Sequence, residues 1–79
     1  MVTVRFFAGA RAAAGVGEEP AEVTTLGDLL THLTAAHSGK LAAVLPACSF
    51  LVDGIAWRDP EAPLPAGATV DVLPPFAGG

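Results

Sequence analysis

Residues 25–39 read Thr25-Leu26-Gly27-Asp28-Leu29-Leu30-Thr31-His32-Leu33-Thr34-Ala35-Ala36-His37-Ser38-Gly39. Leu26, Leu29, Leu30 and Leu33 stand at i, i+3, i+4 and i+7, the spacing that lines one face of a 3.6-residue helix. Thr25 is a good N-cap, and the charge of Asp28 suits the helix amino end. The pattern predicts a helix from about Thr25 to His37, closed by Gly39 in the left-handed position beyond it. His37 falls on the leucine face one turn past Leu33, near the carboxyl end where a positive charge is favourable. One amphipathic helix cannot cover its own stripe, so it requires a sheet.

The flanking segments supply that sheet. In residues 2–8, Val2, Val4 and Phe6 alternate with Thr3, Arg5 and Phe7, which predicts a strand. Ala10 to Ala14 lie between Gly9 and Gly15, and so short a segment predicts one turn or an irregular connection. Residues 18–23 form a second, polar strand, which Pro20 confines to an edge. Past the helix, residues 40–45 add a short turn before Pro46. Residues 48–52 are a strand, Asp53-Gly54 a tight turn, and residues 55–57 the returning strand. Residues 58–68, with Pro60, Pro63, Pro65 and Gly67, read as an ordered loop anchored by Leu64. Residues 69–73 are the last strand, with Val70 and Val72 facing one way and Asp71 and Leu73 the other. The fold class is therefore α+β: a mixed sheet of four to five strands with one main helix on one face. The four leucines are expected to be buried against Val4, Phe6, Val70 and Val72.

Size and charge exclude several functions. The chain has 79 residues, room for one small domain. Hydrophobic residues make up 52% and charged residues 15%, with mean hydropathy +0.55, which excludes disorder. The net charge is −4, and the four basic residues are scattered, so no patch neutralises a run of phosphates and nucleic-acid binding is not expected. No apolar run approaches the roughly 20 residues that span a bilayer. The start of the chain reads as a strand rather than a secretory signal, so the expected compartment is cytoplasmic. Cys48 is the only cysteine, which rules out an internal disulfide and cysteine-based zinc or iron–sulfur sites. It reads as a buried structural thiol. His32 and His37 are one residue off the i, i+4 spacing that puts two metal ligands on one helix face, so no metal site is expected. Trp57 reads as a packing residue.

The carboxyl end carries the functional signal. After the last strand come Pro74-Pro75-Phe76-Ala77-Gly78-Gly79. The two prolines have no amide hydrogen and a fixed φ, so they end the sheet and start the tail in an extended form. The six residues reach about 20 Å at roughly 3.3 Å each. Gly78 and Gly79 lack side chains, so a terminal carboxylate can thread a passage too narrow for a Cβ. This layout suits a substrate tail at residues 74–79, flexible at its Gly-Gly end, on a body at residues 1–73. Phe7, Leu73 and Phe76 are candidates for an exposed apolar patch at the root of the tail, with Arg11 at its rim.

The chain resembles the MoaD/ThiS sulfur-carrier family, which includes the small subunit of molybdopterin synthase and the thiamine-pathway carrier. The resemblance rests on Arg5-Phe6-Phe7-Ala8-Gly9-Ala10-Arg11, on Val52-Asp53-Gly54, and on Asp71-Val72-Leu73-Pro74-Pro75-Phe76-Ala77-Gly78-Gly79. The Phe-Phe-Ala-x-x-Arg start favours the molybdopterin branch. Gly67-Ala68-Thr69 stands where the family often has Gly-Asp-Glu, which removes local acidity.

The resemblance implies a β-grasp, ubiquitin-like fold and a non-enzymatic co-substrate. A ubiquitin-activating-type adenylyltransferase would use ATP and magnesium to adenylate the Gly79 carboxylate. A sulfur donor would then replace AMP to give a thiocarboxylate. The acceptor would be a protein such as the large subunit of molybdopterin synthase. Phe7, Arg11, Leu73, Pro74, Pro75, Phe76, Ala77 and Gly78 would bind these partners, and the chain would bind no cofactor and be a monomer when free. Alternatives are a carrier for thiamine, cysteine or secondary-metabolite synthesis, a modifier joined to lysines, or a plain binding module using the open sheet face. Lys40, the only lysine, leaves few links for self-conjugation and so favours the carrier. A β-grasp ferredoxin is excluded by the single cysteine.

Overall fold

The computed structural model describes residues 1–37 and 39–75. Strand β1 (Val2–Phe6) buries Val2, Val4 and Phe6 and leaves Thr3 and Arg5 on the other side, as alternation requires. It is followed by α1 (Ala8–Ala14), β2 (Glu18–Ala21), α2 (Leu26–Ala36), α3 (Lys40–Val44), a 3₁₀ turn at Leu45–Ala47, β3 (Ser49–Val52), β4 (Ile55–Ala56) and β5 (Thr69–Leu73). The sheet runs in the order β2-β1-β5-β3-β4. The β1–β5 pair is parallel and the other pairs are antiparallel. This is the β-grasp arrangement that the resemblance implies. Pro20 lies in β2, the edge strand, where a missing ladder donor costs least.

Helix α2 starts where its cap signals place it. The Thr25 side chain accepts from the Asp28 amide at 3.0 Å. Leu26, Leu29 and Leu33 are buried with Val4, Phe6, Val70 and Val72 in one core. Leu30 departs from the expectation: it is only half-buried, packing on the rim of the core beside the β3–β4 edge. Gly39 departs as well. The cap residue is His37, and Gly39, at φ 88 and ψ −122, precedes α3 instead of occupying the left-handed position next to the α2 cap. At the same end, His37 Nε2 meets Glu19 Oε1 and ties the helix to β2. The His37 ring lies edge-on to Phe6 at 5.8 Å.

Three further segments complete the body. The stretch expected to be one turn or irregular is the seven-residue helix α1, which buries Ala10 and ends at Gly15 in the left-handed conformation. The turn expected over residues 40–45 is α3 with the 3₁₀ turn, and it buries Leu41 and Leu45. The proline-rich loop is ordered, as expected. Gly27 donates to Pro60 O at 2.8 Å, Leu64 donates to Thr24 O at 2.8 Å, and the Leu64 side chain is buried. A Cβ on Gly27 would sit 3.1 Å from Pro60 O, so any other residue there would have to move the loop off the helix by a few tenths of an ångström. Among the described residues, no helix is long and apolar enough to cross a membrane.

Candidate functional site at the root of the tail

Strand β5 delivers the tail. It lies in the middle of the sheet between β1 and β3, with Val70, Asp71 and Val72 all buried. Its end is therefore held on both sides: Phe6 is the partner of Val72 and Ser49 the partner of Leu73. Leu73 and Pro74 are half-buried and Pro75 is exposed. The stalk thus leaves the body gradually. Phe76, Ala77, Gly78 and Gly79 lie outside the described residues.

Phe7 sits next to this exit. It leaves the sheet as the residue capping α1, at φ −120 and ψ 150, and its amide donates to Val72 O at 3.2 Å. At 36% exposure it is one of the few large apolar side chains open to solvent. Its position beside Leu73 and Pro74 follows from the parallel register of β1 and β5. Arg11, one turn into α1, is exposed. With Arg5, Phe7 and Glu18 it lines a shallow cavity of about 400 Å³ on the far side of Phe7. The structure therefore brings Phe7, Leu73, Pro74 and Pro75 to one end of the sheet, with Arg11 close by.

Strand alternation also organises the charge here. Asp71 is nearly buried, and Arg5 closes over it with Nε and Nη2 donating to the two carboxylate oxygens at 2.8 and 3.3 Å. The hydrogen bond to Asp71, and then its charge, hold the Arg5 guanidinium protonated above its ordinary range, with a smaller contribution from Glu18. The same guanidinium lies 5.3 Å from the Phe7 ring centroid, within reach of a cation–π contact. Arg5 is not among the candidates that the sequence offers. The signal for it is its i, i+2 relation to Phe7 on one strand face; Asp71, 66 residues away, becomes its neighbour only through the β1–β5 register.

The remaining candidates lie elsewhere. Cys48 is half-buried with its thiol 3.4 Å from Val44 O, and burial pushes that thiol above its ordinary pKa. Among the described residues, no three of histidine, cysteine, aspartate and glutamate come together as a metal site would require. Ile55, 65% exposed at the tip of the β3–β4 hairpin, does not stand out in the sequence because it reads as an ordinary strand residue.

Comparison with known proteins bears on the family and the fold. The model of the ThiS family matches residues 4–79. Among solved structures, the chain is similar to SAMP1 from Haloferax volcanii, at 27% identity over 99% of this chain and 98% of that one, with a TM-score of 0.81. It is also similar to a putative molybdopterin converting factor, subunit 1, from Pyrococcus furiosus, at 27% identity over 95% and 97% of the two chains, TM-score 0.82. It shares its fold with a chain in the complex of subunits 1 and 2 of the molybdopterin-converting factor from Helicobacter pylori, at 24% identity over 99% and 97%, TM-score 0.75. No curated protein sequence matches the chain significantly.

Proposed function

The chain belongs to the ThiS family of ubiquitin-like sulfur carriers and modifiers, and from that premise we propose that its reactive group is the carboxylate of Gly79. A ubiquitin-activating-type enzyme, using ATP and magnesium, joins this carboxylate to AMP and releases pyrophosphate. A carboxylate is a poor electrophile, and the adenylate supplies a good leaving group. A sulfur donor displaces AMP, and Gly79 becomes a thiocarboxylate that carries sulfur to an acceptor protein. The domain contributes recognition and a handle, and the chemistry of activation belongs to the partner.

The observation that carries this reading is the root of the tail. The central strand β5 ends in Pro74-Pro75 with Phe7 exposed beside it, which gives partners an apolar platform next to the reactive end. Phe7, Leu73, Pro74 and Pro75 form the platform, Arg11 its charged rim, and Phe76, Ala77 and Gly78 belong to the segment that the partner would take up. The molybdopterin pathway is the favoured destination of the sulfur. The Phe6-Phe7-Ala8 start and the similarity to the Pyrococcus furiosus subunit support it, and a large synthase subunit is then the acceptor. The similarity to SAMP1, a small archaeal modifier protein, supports a second reading in which Gly79 is joined to lysines of other proteins.

Deleting Gly79, or adding one bulky residue after it, displaces the carboxylate. A displacement of about 1 Å can cost on the order of 10²-fold in a positioned reaction. Either change should abolish ATP–pyrophosphate exchange by the activating enzyme while leaving the melting temperature unaltered. Exchange at the wild-type rate with the extended chain would refute the reading.

A further inference from the structure

Phe7 is exposed beside the root of the tail and lies outside the core cluster. The cavity of about 400 Å³ that it lines with Ala8, Arg11 and Gly17 leaves open space next to the ring. A ring so placed samples several side-chain rotamers unless a neighbour holds it, and ordering it on binding costs affinity. Two features of the structure act against that freedom. The backbone is one of them. Ala8 has φ 47, in the left-handed region that a residue with a Cβ adopts only under strain. Such strain is held in place by the surrounding structure and gathers at ligand clamps and switch regions. Here it turns the chain from β1 into α1 directly after Phe7.

The Arg5–Asp71 pair is the other. Asp71 is the middle residue of β5, paired with Arg5 on one side and Leu51 on the other, and is only 9% exposed. Its carboxylate therefore has a fixed place. Arg5 Nε and Nη2 donate to its two oxygens, which removes the rotamer freedom of a long side chain that is otherwise 48% exposed. The guanidinium is thereby held over the Phe7 ring, 5.3 Å from its centroid. Stability alone gives little reason for this arrangement. A half-exposed ion pair contributes little, and apolar residues of similar shape often replace a buried one without loss. What the pair supplies is geometry: a central strand fixes a carboxylate, the carboxylate fixes a planar cation, and the cation backs an aromatic ring beside the exit of the tail.

We propose that Asp71 and Arg5 are positioning residues for the docking of the activating enzyme. Asp71 fixes the Arg5 guanidinium, and Arg5 holds the Phe7 ring in the orientation that the enzyme meets. The proposal rests on the carrier reading, and neither residue takes part in the chemistry at Gly79. Loss of either should raise the KM for the chain and leave kcat unaltered, because the tail, once taken up, reacts as before. An exposed cation–π contact corresponds to a change of about 2- to 5-fold.

The test measures ATP–pyrophosphate exchange by the activating enzyme against the concentration of the full chain. It compares the wild type, Arg5→Gln, Asp71→Asn, Phe7→Ala and the double variant Arg5→Gln/Phe7→Ala. KM should rise by the stated factor in Arg5→Gln and Asp71→Asn at constant kcat, and Arg5→Gln should cost nothing further in the Phe7→Ala background. Three-bond couplings about χ1 of Phe7 should show one rotamer in the wild type and averaging in both single variants, a signature that a merely structural role would not give. A KM that stays unaltered, or a single Phe7 rotamer retained in the variants, overturns the proposal. So does an Arg5→Gln cost that persists without the Phe7 ring, since Arg5 would then touch the enzyme itself. A wild-type chain that supports no exchange overturns the carrier reading and the docking role with it, whereas wild-type exchange with unchanged KM in the variants overturns the docking role alone. Arg5 is half-exposed, so Arg5→Gln keeps the test decisive if Asp71→Asn folds poorly.

Discussion

Leu30 and Leu33 share one helical stripe, yet the fold treats them differently. Leu33 is wholly buried, while Leu30 lies half-exposed at the edge of the core, on the side where Trp57 lies. Truncating a fully buried leucine costs about 2–5 kcal/mol, through lost transfer energy and the cavity left behind. Leu33→Ala should therefore lower the melting temperature steeply and Leu30→Ala much less, as calorimetry of the two variants would show; equal losses would place Leu30 in the core. Cys48 yields a second expectation. Burial raises its thiol pKa, so the reactive thiolate forms only at higher pH than in the unfolded chain. Alkylation rates followed against pH should rise with a midpoint above that of the denatured chain, and coincident midpoints would mean that the thiol is not shielded.

At the scale of elements, the β3–β4 hairpin depends on its turn. Asp53 and Gly54 both have positive φ, 49 and 83, the pattern of a type I′ turn. A Cβ on Gly54 would meet nothing within 4 Å, so Gly54→Ala acts through the backbone alone. The left-handed conformation costs a residue with a Cβ about 1–2 kcal/mol. Denaturant unfolding should show a loss of that size with no change in slope; an unaltered midpoint would mean that the turn relaxes freely. This turn is legible in the sequence because Asp-Gly is specific to it, and α2 is legible because four leucines at helical spacing coincide with a cap. Helix α1 is not. Its alanines carry no stripe, and what holds it is tertiary: Ala10 is buried against the core, a fact that composition does not encode. The position of Gly39 is illegible for a related reason, since α3 begins there and takes the glycine for its own start.

Seen whole, the molecule is a sheet whose central strand leads into the carboxyl-terminal tail. The tail signal is legible because Pro-Pro and Gly-Gly constrain a backbone in ways few other residues do. The platform is only partly legible. Phe7 and Leu73 follow from alternation, but the lid that Arg5 forms on Asp71, and its stacking on Phe7, need the parallel pairing of strands at opposite ends of the sequence. Phe7→Ala removes an exposed ring, so the fold should survive with little change in melting temperature, while binding to the acceptor protein weakens measurably by titration calorimetry. Unfolding, or unchanged affinity, would remove Phe7 from the interface. The most direct measurement for the carrier reading is intact and fragment mass spectrometry after incubation with activating enzyme, ATP and a sulfur donor. The chain should exchange one oxygen for one sulfur, and the fragment ending in Gly79 should carry the change. Sulfur found on Cys48, with Gly79 unmodified, would contradict it and make the chain a persulfide carrier.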